Sequence, residues 1–152
     1  MTESERLKTL QLMYAGVLVD AVRQYGSFGI LANVTEKKRI EQELAARDQV
    51  ARLGIHTPED LFTILPEIFG CAAWNPDDSG PVFRVETRSC LMCALAKRLG
   101  APAPCSIYCV NPSRALAGAL PVPHDLTVLG TLWDGGSCVF ELEPRGAGES
   151  AR

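Results

Sequence analysis

Apolar residues recur at Leu7, Leu10, Tyr14, Val17, Leu18, Ala21 and Tyr25. Steps of three and four put them on one side of a helix, and Gly26 ends the pattern. The spacing predicts a first helix with a wide apolar stripe. "GSFGIL" reads as a turn. Asn33 followed by Glu36 has the spacing of a capping box, so a second helix is expected over Thr35–Leu53, closed by Gly54. Its apolar line is thin, only Ile40, Leu44 and Val50, so it belongs on the surface or against a second subunit. "HTPEDLFTILPEIFG" predicts a third helix. Thr57 is its N-cap, Pro58 takes the first helical position, and Glu59 and Asp60 face the positive end of the helix dipole. Leu61, Ile64, Leu65 and Ile68 supply its buried side, and Pro66 kinks or shortens the last turn.

The period then changes to two. In "PVFRVETRS", Val82, Arg84, Glu86 and Arg88 alternate with Phe83, Val85 and Thr87, as in a half-buried strand. Ser89 is expected to cap a helix from Cys90 to Leu99, stopped by Gly100. "APAPCSIYCVNPSRALAGALP" reads as a compact loop with one or two helical turns. "DLTVLGTLW", the turn "DGGS" and "CVFELE" read as a β-hairpin. Helices first, then strands with an inserted helix, imply an α+β class: N-terminal helices packed on a small antiparallel sheet. The length, 152 residues, fits one domain over residues 1–145, with a flexible tail at 146–152.

Composition narrows the function classes. A net charge of −3 without a basic stripe argues against nucleic acid as a partner. No apolar run reaches the ~20 residues of a membrane helix, and the polar start "MTESERLKTL" is not a secretory signal. The expected compartment is the cytoplasm, where six cysteines are mostly reduced thiols.

Four of those cysteines crowd into "SCLMCALAKRLGAPAPCSIYC". Cys90, Cys93, Cys105 and Cys109 have the count of a four-thiolate zinc or iron site, although the first pair sits in helix-forming sequence rather than in a tight turn. Cys90 and Cys93 also have the spacing of a redox pair, without a preceding βαβ unit. At the first turn of a helix Cys90 has the setting of a nucleophile, with Arg88 or Arg114 as the added cation. Cys109 and Cys138 can converge on the same cleft. Each thiol also has a plain reading as a small buried hydrophobe, which suits Cys71 best.

The segments "CLMCALAKRLGAPAPCSIYC", "VNPSRAL" and "TLWDGGSCVFEL" resemble the L-2-amino-thiazoline-4-carboxylate hydrolase-like family of small bacterial proteins, across about the last two-thirds of the chain. The resemblance implies hydrolysis of a small cyclic amidine or thiazoline carboxylate in a cysteine-lined pocket, with no cofactor. It implies Cys90, Cys109 and Cys138 as thiol candidates and Asp134 or His124 as acid or base. Arg84, Arg88 or Arg114 would hold a carboxylate, with Asn111 and Trp133 beside the ligand. Asn111 stands where an acid is expected in hydrolase-like members, which favours binding without catalysis. Each candidate has a local reading too: a loop histidine for His124 and a helix-flanking one for His56, turn chemistry for Asp134, a solvated strand face for Arg84 and Arg88, and core for Trp74 and Trp133. The second reading is a non-catalytic small-molecule or metal-binding module of 4-vinyl-reductase-like outline. Under either reading a small molecule is the expected partner, and the helix surfaces suggest a homodimer.

Overall fold

The computed structural model describes residues 1–146. The tail expected over 146–152 lies, apart from Gly146, outside the described residues. The elements are α1 (Glu3–Ser27), α2 (Leu31–Leu53), α3 (Pro58–Phe69), β1 (Asn75–Asp77), β2 (Phe83–Thr87), α4 (Leu91–Arg98), a π-helix (Ser106–Val110), α5 (Asn111–Gly118), β3 (His124–Gly130) and β4 (Cys138–Pro144). The strands pair antiparallel in the order β1-β2-β4-β3. The fold is therefore α+β, as the pattern implied.

One face of the sheet is packed and the other is wet, as the alternation along β2 required. Val85 of β2, Leu126 of β3 and Phe140 and Leu142 of β4 point inward. There they meet Ala46 and Val50 of α2, Leu61 and Phe62 of α3, and Ala115, Leu116 and Ala117 of α5. Trp74 lies against this core with its ring centroid 5.1 Å from Phe62 and 5.0 Å from Phe140. On the wet face Arg84 reaches Glu141 at 3.4 Å across β2 and β4. A second, smaller cluster joins Ala15 and Val19 of α1 to Met92, Ala96 and Ala101 around α4.

Several local expectations are corrected. The first helix has its leucine stripe on the outside: Leu7, Leu10, Tyr14 and Val17 are exposed, whereas Ala15, Val19 and Val22 are buried. Short side chains on the inner side let α1 approach α4 and the loop after it closely. A Cβ on Gly26 would sit 2.7 Å from Pro102. α2 begins at Leu31, without a side-chain cap. Thr35 instead donates its hydroxyl to the Leu31 carbonyl, and Glu36 is held by Arg39 at 2.6 Å, so the Asn33–Glu36 box does not form. Thr57 does cap α3, in a reciprocal box with Asp60. Pro66 is accommodated inside the last turn, and its carbonyl closes the helix by accepting the Gly70 N–H at 2.7 Å. Asn75–Asp77, expected as turn, forms the short edge strand β1.

The hairpin β3–β4 is joined by residues 131–137 rather than by a tight turn. That loop is tied down from within and without. Gly135 N–H donates to the Thr131 carbonyl at 2.9 Å, and Lys97 Nζ donates to the Leu132 carbonyl at 2.9 Å. The helical turns expected after α4 are a π-helix running directly into α5.

Candidate functional site

Residue Ser89 does not cap α4. Its N–H and carbonyl are both engaged by the Thr87 hydroxyl. Cys90 is the N-cap itself, in extended backbone, and its Sγ accepts the Cys93 N–H at 3.5 Å. Leu91 N–H donates to the Cys71 carbonyl at 2.7 Å. That bond brings the segment after α3 alongside the start of α4 and sets Cys71 beside Cys90.

Two spaces meet at this point. An open groove of about 670 Å3 is lined by Gly70, Cys71, Ala72 and Ala73 on one side, Arg88 to Leu91, Cys93, Ala94 and Lys97 on the other, and Leu132. Beneath it lies a small enclosed cavity of about 20 Å3, walled by Cys90, Cys93, Cys105, Cys109 and Cys138 together with Met92, Pro104, Val110, Thr131, Leu132 and Phe140. That is the room of a single water-sized group. Cys90, Cys93 and Leu132 belong to both linings, so this wall separates an accessible surface from a thiol-rich interior. Cys105 and Cys109 reach the cavity from the two ends of the π-helix, and Cys138 reaches it from the start of β4, where its Sγ accepts the Leu132 N–H at 3.2 Å. All six cysteines are free thiols.

Burial dominates their chemistry. It pushes the Cys71 thiol up to about 11, with charge on Cys90 as a smaller cause. It pushes Cys105 up to about 12, with Cys93 as the next cause. Cys109 is pushed well above the ordinary range by enclosure of its sulfur and then by the neighbouring Cys71 and Cys90. Cys93 and Cys138 are raised by burial as well, Cys138 against the lowering influence of the Leu132 N–H. A buried thiol holds its proton because the thiolate loses solvation. The four thiols read as a metal set do share the cavity. Among the described residues, however, no group of three or more His, Cys, Asp or Glu side chains is arranged to hold a metal ion.

The other candidates divide sharply. Arg88 lines the groove, with its side chain mostly exposed and 3.5 Å from Glu86. Arg84 is on the wet face of the sheet, paired with Glu141. Arg114 is occupied by the Leu126 carbonyl at 3.3 Å, and Asn111 opens α5 with its N–H on the Ser106 carbonyl. Asp134 accepts from the Thr131 hydroxyl at 3.3 Å within its own loop. His124 is buried at the far end of β3, its Nδ1 2.6 Å from the Val122 carbonyl. His56 is exposed and flanks the α3 cap. None of these except Arg88 lines the groove or the cavity. Trp133 is half-buried beside the α1–α4 cluster, with Lys97 Nζ 5.4 Å above its ring.

Sequence reasoning missed Lys97, the second cation of the groove. A lysine in the last turn of a helix has an ordinary explanation in the helix dipole, which hides a second role. It also gave Cys71 a purely structural role, whereas Cys71 lines the groove.

No family model matches this chain, and no curated protein matches it. Among solved structures, the fold is similar to the phenol-responsive sensory domain of the transcription activator PoxR, crystallised with phenol. The TM-score is 0.51 and the identity 13%, over 93% of this chain and 80% of that one. At that identity the likeness is one of fold.

Proposed function

We propose that this chain is a small-molecule binding module whose ligand lies in the Arg88–Lys97 groove against the wall formed by Cys90 and Cys93. The carrying observation is the composition of that groove. It joins an apolar bed (Ala72, Ala73, Leu91) to two cations and three thiols, and among the described residues it has no Asp, Glu or His in its lining. With no carboxylate or imidazole at its wall to move a proton, and with the Cys71 and Cys93 thiols raised by burial, the groove is better suited to binding than to catalysis. The chemistry fits a small ring compound that carries an anionic or acceptor group for Arg88 and Lys97. The PoxR sensory domain, similar in fold, was crystallised with phenol, which supports a ligand of that size.

Titration calorimetry with phenol and with 2-amino-thiazoline-4-carboxylate tests this reading. One of the two should bind, and Arg88→Ala together with Lys97→Ala should weaken a carboxylate ligand at least tenfold. No heat with either compound, or binding indifferent to both substitutions, would count against the groove. The hydrolase reading rests on Cys90, whose sulfur caps a helix N-terminus at the groove. Turnover of the thiazoline carboxylate that is lost in Cys90→Ser would favour it over simple binding.

A further inference from the structure

Among the described residues, no element covers the outer face of α1. Leu7, Leu10, Met13, Tyr14 and Val17 are 47%, 63%, 65%, 44% and 65% exposed. Scattered exposed leucines are normal, but a contiguous apolar strip on a helix is an interaction surface. Leu7, Leu10, Tyr14, Val17 and Ala21 are spaced three, four, three and four apart. That is the 3.5-residue repeat of a two-helix seam. The strip continues onto α3, because the Tyr14 ring stacks on Phe69 at 5.5 Å and Gln11 Nε2 donates to the Glu67 and Ile68 carbonyls. Phe69 and Ile68 are themselves partly exposed.

We infer that this face binds a second copy of the chain, α1 against α1, antiparallel about a two-fold axis midway between Leu10 and Tyr14. The charges flanking the seam select this partner and this direction. In an antiparallel pairing, Leu7 meets the other copy's Val17 and Leu10 meets its Tyr14. The flanking positions then place Arg6 opposite Asp20 and Met13 opposite Met13. A parallel pairing would instead set each of these residues against the position five further on in the other copy, Arg6 beside Gln11 and Asp20 beside Tyr25, and neither charge would gain a partner. Both side chains are exposed, and among the described residues Asp20 is paired with Arg23 of its own helix at 2.9 Å. Isologous pairing uses each contact twice. The seam spans about 27 Å from Glu3 to Ala21 at 1.5 Å per residue. This is a small interface by the ~800 Å2 per partner of stable complexes, so the dimer should dissociate as the protein is diluted.

Sedimentation of the full chain from about 1 to 300 μM tests the inference, with the sedimentation coefficient expected to rise through a monomer–dimer transition. Leu10→Glu should hold the chain monomeric with unchanged helical circular dichroism. Arg6→Asp and Asp20→Arg should each weaken association, and the double variant should restore it. Met13→Cys should form a disulfide-linked dimer under mild oxidation above the wild-type background, while Leu12→Cys, exposed but off the seam, should not. A monomer at every concentration, equal cross-linking at positions 12 and 13, or a double variant weaker than both single ones would overturn the proposal. So would a monomer whose α1 face instead carries it onto lipid vesicles.

Discussion

Enclosure raises the Cys71 thiol to about 11 and the Cys105 thiol to about 12, against about 8.5 for a free thiol. Each is an acid that keeps its proton longer in the folded chain than in the unfolded one. Between the two values the folded state binds more protons, so stability falls as pH rises. Their contribution is whole below about 8.5 and is lost progressively above it. Each such thiol lowers stability by up to about 1.4 kcal/mol per pH unit once its unfolded form is ionised. The urea midpoint should therefore decline between about pH 8.5 and 9.5, below the ordinary tyrosine range near 10. Cys105→Ser should make the decline shallower. A flat profile in the wild type would mean that the thiols are not enclosed as described.

The π-helix is the element that brings two of these thiols to the cavity, and its geometry has a local cause. Asn111 donates to Ser106, five residues back. The Ile107 carbonyl thereby loses its α-helical partner, and its π-helical partner would be Pro112, which has no N–H. Gln42 of α2 fills the gap, its Nε2 donating to the Ile107 carbonyl at 2.9 Å. Gln42→Ala leaves that carbonyl unpaired beside a buried residue. A loss of about 1–3 kcal/mol is expected, read from urea unfolding, with faster amide exchange over residues 106–111. Unchanged exchange there would show that α2 does not hold the π turn. In "CSIYCVNP" only the missing N–H of Pro112 bears on this turn, and that alone does not announce it, because a π-helix has no residue preference comparable to a cap. What was legible had a short-range signature: the Thr57–Pro58 start of α3, the alternation of β2, the glycine stops at Gly54 and Gly100. Both of those glycines hold left-handed backbone, at φ 68° and 63°. What was not legible depends on distant partners. Periodicity announced a stripe on α1 but not which side the fold would cover, since the covered side is made of small residues. The thiol cluster was visible as a count, but its division of groove from interior was not. The wall depends on the Cys71 carbonyl accepting from Leu91.

At the scale of the molecule, the groove lies along the boundary between the sheet core and the α1–α4 cluster. Its lips come from different parts of the chain: Gly70–Ala73 follows α3, Arg88–Lys97 leads into and forms most of α4, and Leu132 comes from the hairpin loop. Small side chains keep it open. Ala73 is exposed and Ala72 half-buried, so a large residue at 73 would fill the groove without disturbing either core. Ala73→Trp should accordingly leave the urea midpoint within about 0.5 kcal/mol of wild type, as for surface changes generally, while abolishing whatever the groove binds. The same substitution should slow alkylation of Cys90, which faces the groove, and leave Cys109 unaffected, because Cys109 meets only the inner cavity. Alkylation followed by peptide mass mapping distinguishes the two thiols. Equal slowing at both would mean that reagents reach the inner thiols through the groove, past Cys90 and Cys93. Unaltered labelling of Cys90 would mean that its sulfur is approached from elsewhere, and the groove would then lose its claim on the ligand.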